Sequence, residues 1–534
     1  MKDKKKLKLK KFYFHPITVF IFLTILTIIA SAILSALQMQ GTYSKVNNSN
    51  YELESVLVTV KNMLTFDGMK FIFSNALRNF LSFAPFGMLV LTLIGLGVSS
   101  STGFLDTVIS RKIKKIDKRI VTFIIIFLAT ISSLINDIGY VLLIPLSAII
   151  FQANNRNPFA GIVAAFCGVS FGSAISLFVG SMEVNLIPYT TSAARLIDRS
   201  THVSLTSNLI IIIVFSVLLS IIGTVIVESI IVKRLGKYKD NQENVKTEEL
   251  TVVDEEEIEQ ERIAKEKKEK AGLKYALITA IVVIVAFIYM IIPNLPSSGM
   301  LLDMSEDTYL GQLFGTNSYF QDGFTYMISL LFILTSIAYG IGAKSIKNDK
   351  DLIYGCEKMF TSSAEMVMLL FVASQFISIF RETNIGTIIA TWGANILGSV
   401  SFSALPLIII SLVLIAIANI FVTTPSSKWQ IFAPVMVPAM MQANISPQFA
   451  QFILRAGDSM TAGITPLLAS FAIYIGYLNI YNKDKSKPIT IHQAIAYVMP
   501  YFTIISISWI LLTIGWYLIG LPIGPGVYPT FNSY

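Results

Sequence analysis

Long uninterrupted apolar runs, rather than short alternating ones, organise this chain. They lie at 17–37, 83–98, 120–153, 160–180, 209–232, 275–292, 327–341, 367–380, 404–422, 431–441, 449–480 and 496–519. A helix of about 20 apolar residues crosses the hydrocarbon of a bilayer, so the pattern predicts an all-α polytopic membrane protein. Several runs miss that length. Some are too short, and others carry polar clusters: Ser132-Ser-Leu-Ile-Asn-Asp-Ile-Gly139, Gly168-Val-Ser-Phe-Gly-Ser173 and Gly457-Asp-Ser-Met-Thr461. Lipid cannot satisfy the backbone groups that such breaks release, so protein or a water-filled cavity must surround them. Discontinuous helices around a central polar site are the plan of a transporter core.

The breaks recur. Shifting the chain by the 289 residues that separate Asp137 from Ser426 pairs Tyr140 with Trp429, Pro145 with Pro434 and Pro158 with Pro447. Without a gap it also pairs Gly168 with Gly457, Ser170 with Ser459 and Ser176 with Thr465. An odd number of crossings between the copies would invert the repeat, as secondary transporters commonly do. The predicted organisation is a first transmembrane half over 1–232, a charged linker over 233–272 and a second transmembrane half over 273–534.

Composition sharpens this picture. Of the 534 residues 54% are hydrophobic and 14% charged, against roughly 25% charged in an average soluble domain. Lipid must therefore cover most of the outside. The net charge of +8 sits largely in the N-terminal tail and around 111–119, which fits the positive-inside rule rather than a nucleic-acid partner. Those segments and the linker are expected in the cytoplasm, with 38–70 and 296–321 facing outward. The linker mixes Asp254-Glu-Glu-Glu257 with Lys265-Glu-Lys-Lys-Glu-Lys270, the composition of a partly helical or disordered connector. The first apolar run is too long for a signal-peptide core and lacks an A-x-A site, so it reads as a retained span. Cys167, Cys356 and three scattered histidines offer neither a disulfide framework nor a zinc motif. No cofactor is expected beyond a coupling Na⁺ or H⁺.

The richest polar stretch is Thr423-Thr-Pro-Ser-Ser-Lys-Trp429 with Arg455-Ala-Gly-Asp-Ser-Met-Thr461 and Ile464-Thr-Pro466. Ionisable groups in a membrane cost roughly 2.5–3.5 kcal/mol each on insertion scales, so function or pairing must retain them. Arg455 and Asp458 are spaced i,i+3 and can pair on one helical face. That pair is either a structural tie or a working site, in which Arg455 meets a substrate carboxylate and Asp458 holds the coupling cation. Asp137 is either a tip residue in water or half of a cation site. Ser132, Ser133, Ser170, Ser459 and Thr461 supply oxygens of the hard type that Na⁺ prefers. Trp429 is a stacking surface or a core residue, and Asn384 an oxygen ligand or a helix cap. Lys428 and Glu365 are expected to snorkel toward the boundary. A Na⁺ site is thus expected near Asp137, Asp458 and Asn384.

Several longer motifs resemble one family. They are Asn79-Phe-Leu-Ser-Phe-Ala-Pro-Phe-Gly87, Asp137-Ile-Gly-Tyr-Val-Leu-Leu-Ile-Pro145, Gly161-Ile-Val-Ala-Ala-Phe-Cys-Gly-Val-Ser170 and Ser427-Lys-Trp429. Arg455-Ala-Gly-Asp-Ser459, Ile464-Thr-Pro466 and Gly520-Leu-Pro-Ile-Gly-Pro-Gly526 complete the set. From about Leu77 to Gly526 the chain resembles the AbgT family of p-aminobenzoyl-glutamate transporters and related sulfonamide and antimetabolite efflux pumps. The resemblance implies a bowl-shaped homodimer, nine transmembrane helices with two re-entrant hairpins per protomer, and coupling to Na⁺ or H⁺. It marks Asp137, Ser426, Trp429, Pro447, Arg455, Asp458 and Pro466 as functional. Two departures stand out. The family commonly has Ser-Ala-Asn-Leu at Ala174-Ile-Ser-Leu177, and Thr-Asn before Ile-Thr-Pro where this chain has Thr461-Ala-Gly-Ile. Both remove an amide, at Ser176 and Ala462, and both bear on the substrate and the ion.

Other classes fit less well. The chain has no H-E-x-x-H and no G-x-S-x-G, which argues against a membrane enzyme. A channel, or a carrier of an unrelated dicarboxylate or lipid precursor, shares the architecture and differs in the site.

Overall fold

Residues 14–47, 50–134, 138–238, 255–315, 317–399 and 403–530 are described by the computed structural model. Among them, eight helices are long and apolar enough to cross a membrane. These are Pro16–Ala36, Phe66–Ser101, Leu209–Leu235, Glu259–Ile291, Tyr319–Ala343, Asp349–Glu382, Ala404–Phe421 and Ile491–Ile519. Their outer faces are greasy: Phe22, Ile25 and Leu26 near the start of the chain, and Leu277, Ile281 and Val285 in the second half, are exposed. Acyl chains are the solvent that such faces require.

At the centre lie two pairs of shorter helices, each joined by a four-residue turn. The first hairpin is Ile138–Ala153 with Pro158–Phe171, and the second is Pro425–Gln442 with Pro447–Thr461. Nearly every side chain of Pro158–Phe171 and Pro447–Thr461 is buried. The turns are copies of each other at the level of single hydrogen bonds. Asn155 and Asn444, which are 289 apart, both take the left-handed conformation (φ 56° and 60°) that asparagine tolerates at a helix end. Arg156 N–H donates to Phe151 O and Ile445 N–H to Met440 O, again equivalent pairs, at 2.9 and 2.8 Å. Asn157 and Ser446 then cap the next helix with a side-chain oxygen, and Pro158 and Pro447 occupy its first position.

Gly168 and Gly457 keep the copies close to their neighbours. A Cβ at Gly168 would lie 3.1 Å from Ile126 O and 2.6 Å from the Ala129 Cβ. At Gly457 it would lie 2.7 Å from Ile415 Cγ2, and Ile126 and Ile415 are themselves equivalent. The helices supplying those contacts, Lys118–Ile131 and Ala404–Phe421, both end in a break before their hairpin begins. Each hairpin also runs out of α-helix, into irregular backbone over 172–180 in the first copy and into a single 3-10 turn, Ala462–Ile464, followed by irregular backbone in the second.

The hairpin tips meet reciprocally. Ala174 N–H donates to Ser459 Oγ at 2.8 Å, and a Cβ on Gly463 would come 3.3 Å from Ser170 Cβ. Ser170 with Ser459, and Ala174 with Gly463, are equivalent positions. The turns lie far apart. Asn157 Nδ2 donates to Leu235 O at 3.2 Å, whereas Asn208 Nδ2 donates to Gln448 O at 3.1 Å. Helix Leu209–Leu235 therefore touches the first hairpin's turn at its end and the second hairpin's turn at its beginning. At about 1.5 Å per residue those two points are separated by a whole membrane-spanning helix.

Two segments hold more structure than their sequence announces. Within 38–70, read above as a polar outward stretch, Gln40–Val46 and Leu53–Thr59 form an antiparallel hairpin with Tyr43 opposite Val56. In the charged linker, 239–254 lies outside the described residues, but Glu255–Ile291 is one continuous helix. Arg111 pairs with Glu269 at 2.5 Å and Glu266 at 3.3 Å, joining two segments expected on the same membrane face.

Candidate functional site

The breaks of both copies open onto one cavity of about 380 Å³, within the usual size range of small-molecule sites. Ser133, Tyr140 and Ser173 line it from the first copy, and Asn419, Ser426 and Asp458 from the second. Polar side chains gather here because unwound backbone cannot bond to itself, and lipid is shut out by the surrounding helices.

Two buried ion pairs flank the cavity, and neither is the Arg455–Asp458 pair that i,i+3 spacing allows. Lys428 is fully buried rather than snorkelling, and its Nζ lies 2.5 Å from Asp458 Oδ1. The same ammonium donates to Asn419 Oδ1. Asn419 Nδ2 in turn donates to Asp458 O at 2.8 Å and to Thr461 Oγ1 at 3.2 Å. Asp458 Oδ2 is buried with no hydrogen-bond partner among the described residues. Arg455 instead pairs with Glu183, whose other oxygen accepts from Gly180 N–H at 3.0 Å. That second pair ties helix Ser181–Ala194 of the first half to the second hairpin.

The remaining expected residues divide by position. Ser426 and Asp458 reach the cavity; Trp429, Arg455, Ser170, Ser459 and Thr461 lie behind its wall. Trp429 is wholly buried and donates from Nε1 to Thr190 Oγ1 at 2.8 Å. Tyr140 donates to Ser170 Oγ at 3.1 Å within the first hairpin, and Ser459 bonds Ser173 at 2.9 Å across the two tips. Pro447 opens its helix, and Pro466 sits in the irregular segment behind the second hairpin. Asn384 does not line the cavity: its φ is 61°, and Nδ2 donates to Thr59 O at 3.3 Å, the geometry of a cap and tether. Glu365 pairs with His15 at 2.9 Å near the surface. Asp137 lies outside the described residues.

The sequence reading missed Glu183 and Asn419, as well as Arg381, which also lines the cavity. Glu183 had one visible signal, being the lone acid between 177 and 197, with Arg195 the only other charged residue of that stretch.

A family model, the AbgT putative transporter family, matches residues 10–531. The chain belongs to that family. It is 30% identical over 518 residues to the p-aminobenzoyl-glutamate transport protein of Escherichia coli strain K12, covering 97% of this chain and 95% of that one. Among solved structures, the Alcanivorax borkumensis YdaH transporter is 28% identical over 96% of this chain and 100% of its own, with a TM-score of 0.47. Neisseria gonorrhoeae MtrF, described with a class of antimetabolite efflux pumps, is 29% identical over 97% and 98%, also with a TM-score of 0.47. As an AbgT-family member with several spanning helices, the chain is a multi-pass protein of the bacterial inner membrane. The amides absent from this AbgT chain fall in different places. Ala462 lines the cavity, whereas the Ser176 hydroxyl donates to Phe178 O at 2.5 Å.

Proposed function

We propose that this AbgT-family protein is a secondary active transporter that moves p-aminobenzoyl-glutamate, or a related aromatic carboxylate, on a Na⁺ or H⁺ gradient. One observation carries the reading: a single cavity is shared by the broken ends of two equivalent hairpins, with a half-satisfied carboxylate, Asp458, in its wall. Asp458 is the binding group for the coupling cation. Its partner Lys428 supplies the balancing charge while the cation is away, and Asn419 fixes both. A cation arriving at Asp458 competes with the ammonium, which couples occupancy to the shape of the tip. Asp137 remains the candidate for a second carboxylate at this site.

The two hairpins enter from opposite membrane faces and are re-entrant, with the two transmembrane halves related by inversion and, as the family resemblance implies, nine transmembrane helices beside them. Support comes from the reciprocal tip contacts and from the turns lying at opposite ends of Leu209–Leu235. A homodimer accompanies this reading through the family resemblance.

Uptake by purified protein in proteoliposomes tests it. With p-aminobenzoyl-glutamate inside or outside, saturable movement should follow an imposed Na⁺ or pH gradient, and the favoured direction distinguishes import from efflux. Movement that rises linearly with concentration and ignores both gradients would mean a channel. Gradient-driven movement of unrelated dicarboxylates alone would keep the transporter and reject the substrate.

A further inference from the structure

We propose that Arg381 is the carboxylate receptor of this transporter, which reads an organic acid at the junction of two adjoining chambers. The proposal rests on the transporter reading of the cavity and names a residue that neither the repeat nor the family motifs single out.

Arg381 is in the last turn of helix Asp349–Glu382. It lines the 380 Å³ cavity and also an adjoining one of about 210 Å³, and its side chain is exposed rather than packed into the core. Among the described residues, the carboxylates on or next to the chamber walls are already taken. Glu382 is held by Lys61 at 2.6 Å, Asp458 by Lys428 at 2.5 Å, and Glu183 by Arg455. Among the described residues lining the two chambers, Arg381 is thus the one ionised side chain with no opposite charge. Both chambers also hold Thr423 and Thr424, at the start of helix Pro425–Gln442. Thr424 makes no side-chain cap there, so N–H groups of the first turn are available as well.

A guanidinium beside hydroxyls and an uncapped helix start is a receptor for a planar anion, and the arginine fork matches a carboxylate in two places. The smaller chamber is mixed: Ile377, Phe380, Phe421 and Leu467 give it an apolar side beside Thr387, Ser427 and the two threonines. That side suits an apolar or aromatic body attached to that carboxylate. The ligand class is therefore an amphipathic aromatic carboxylate held by its acid group. Arg455, locked onto Glu183 behind the wall, is not needed for this contact. The alternative role for Arg381 is to complement the dipole at its helix end, and that role would make no distinction between acids and amides.

The test is binding by the full-length protein in detergent, using paired probes that differ only in charge. These are p-aminobenzoyl-glutamate against its diamide, and benzoate against benzamide. The wild type should prefer each acid, and Arg381→Met should erase that preference, weakening acid binding about 10- to 100-fold at unchanged amide affinity. Arg381→Lys, which keeps the charge without the fork, should restore part of it. An unaltered acid preference in Arg381→Met overturns the proposal, as does a wild type with no acid preference. If only the benzoate pair shows the effect, Arg381 stands and the p-aminobenzoyl-glutamate reading fails. The melting temperature of each variant separates lost binding from lost folding.

Discussion

Arg455 shows how far spacing along a helix can mislead about a partner. Its i,i+3 neighbour Asp458 is available on paper, yet the Pro447–Thr461 helix is buried on all sides, and each charge finds its partner on a different helix. A buried pair stripped of one member leaves an uncompensated charge, which typically costs about 3–5 kcal/mol. Glu183→Ala should therefore destabilise the folded protein strongly, and so should Arg455→Ala. The double variant should cost clearly less than the sum, a coupling that thermal unfolding in detergent reads directly. Simple additivity would mean that the two side chains do not depend on each other. The sequence pointed to Asp458 and Ser426, because polar groups in apolar runs are conspicuous, but it set Lys428 at the boundary, where the structure buries it. It could not point to Glu183 or Asn419 as partners, since which buried groups meet is decided by packing between helices distant in the chain. At Asn384 the sequence left an oxygen ligand and a helix cap open, and the residue takes the left-handed conformation of a cap.

Helix punctuation was the most legible feature at the scale of elements. Prolines and glycines have few permitted uses, so their matched spacing survived where side-chain chemistry had diverged. The structure turns that match into equivalent turns, caps and close approaches, down to Ile126 and Ile415 against Gly168 and Gly457. Gly168→Val and Gly457→Val should each overpack the tip and cost about 1–3 kcal/mol, with reduced transport. Gly87→Ala is the control, because a Cβ there meets nothing within 4 Å. That change should be neutral or stabilising by up to about 1 kcal/mol, as alanine is the better helix former. Equal tolerance at all three glycines, measured by melting temperature, would contradict the packing argument. The β-hairpin at 40–59 was illegible for the opposite reason: its strands bury little, and side chains of Asn384, Trp392 and Asn395 from a remote segment hold its edge.

At the scale of the whole molecule, the two hairpin turns are separated by the length of helix Leu209–Leu235, and they provide a topological test. A cysteine at position 155 should react with an impermeant reagent from the cytoplasmic face alone. One at 444 should react from the outer face alone, in a background lacking Cys167 and Cys356. Labelling of both from one side would abolish the inverted arrangement and with it the alternating access it supports. The linker, whose charged composition cannot bury a core, should tolerate shortening within 239–254 without loss of transport.

In the proposed function, the carboxylate in the cavity wall couples an ion gradient to substrate movement. Reconstituted Asp458→Asn protein measures this most directly, through net accumulation under an imposed gradient compared with exchange at equal concentrations on both sides. Asparagine keeps the shape and loses the charge that a cation requires, so gradient-driven accumulation should vanish while substrate exchange persists. Full gradient-driven accumulation by Asp458→Asn, at the wild-type rate and with the wild-type ion dependence, would contradict the account.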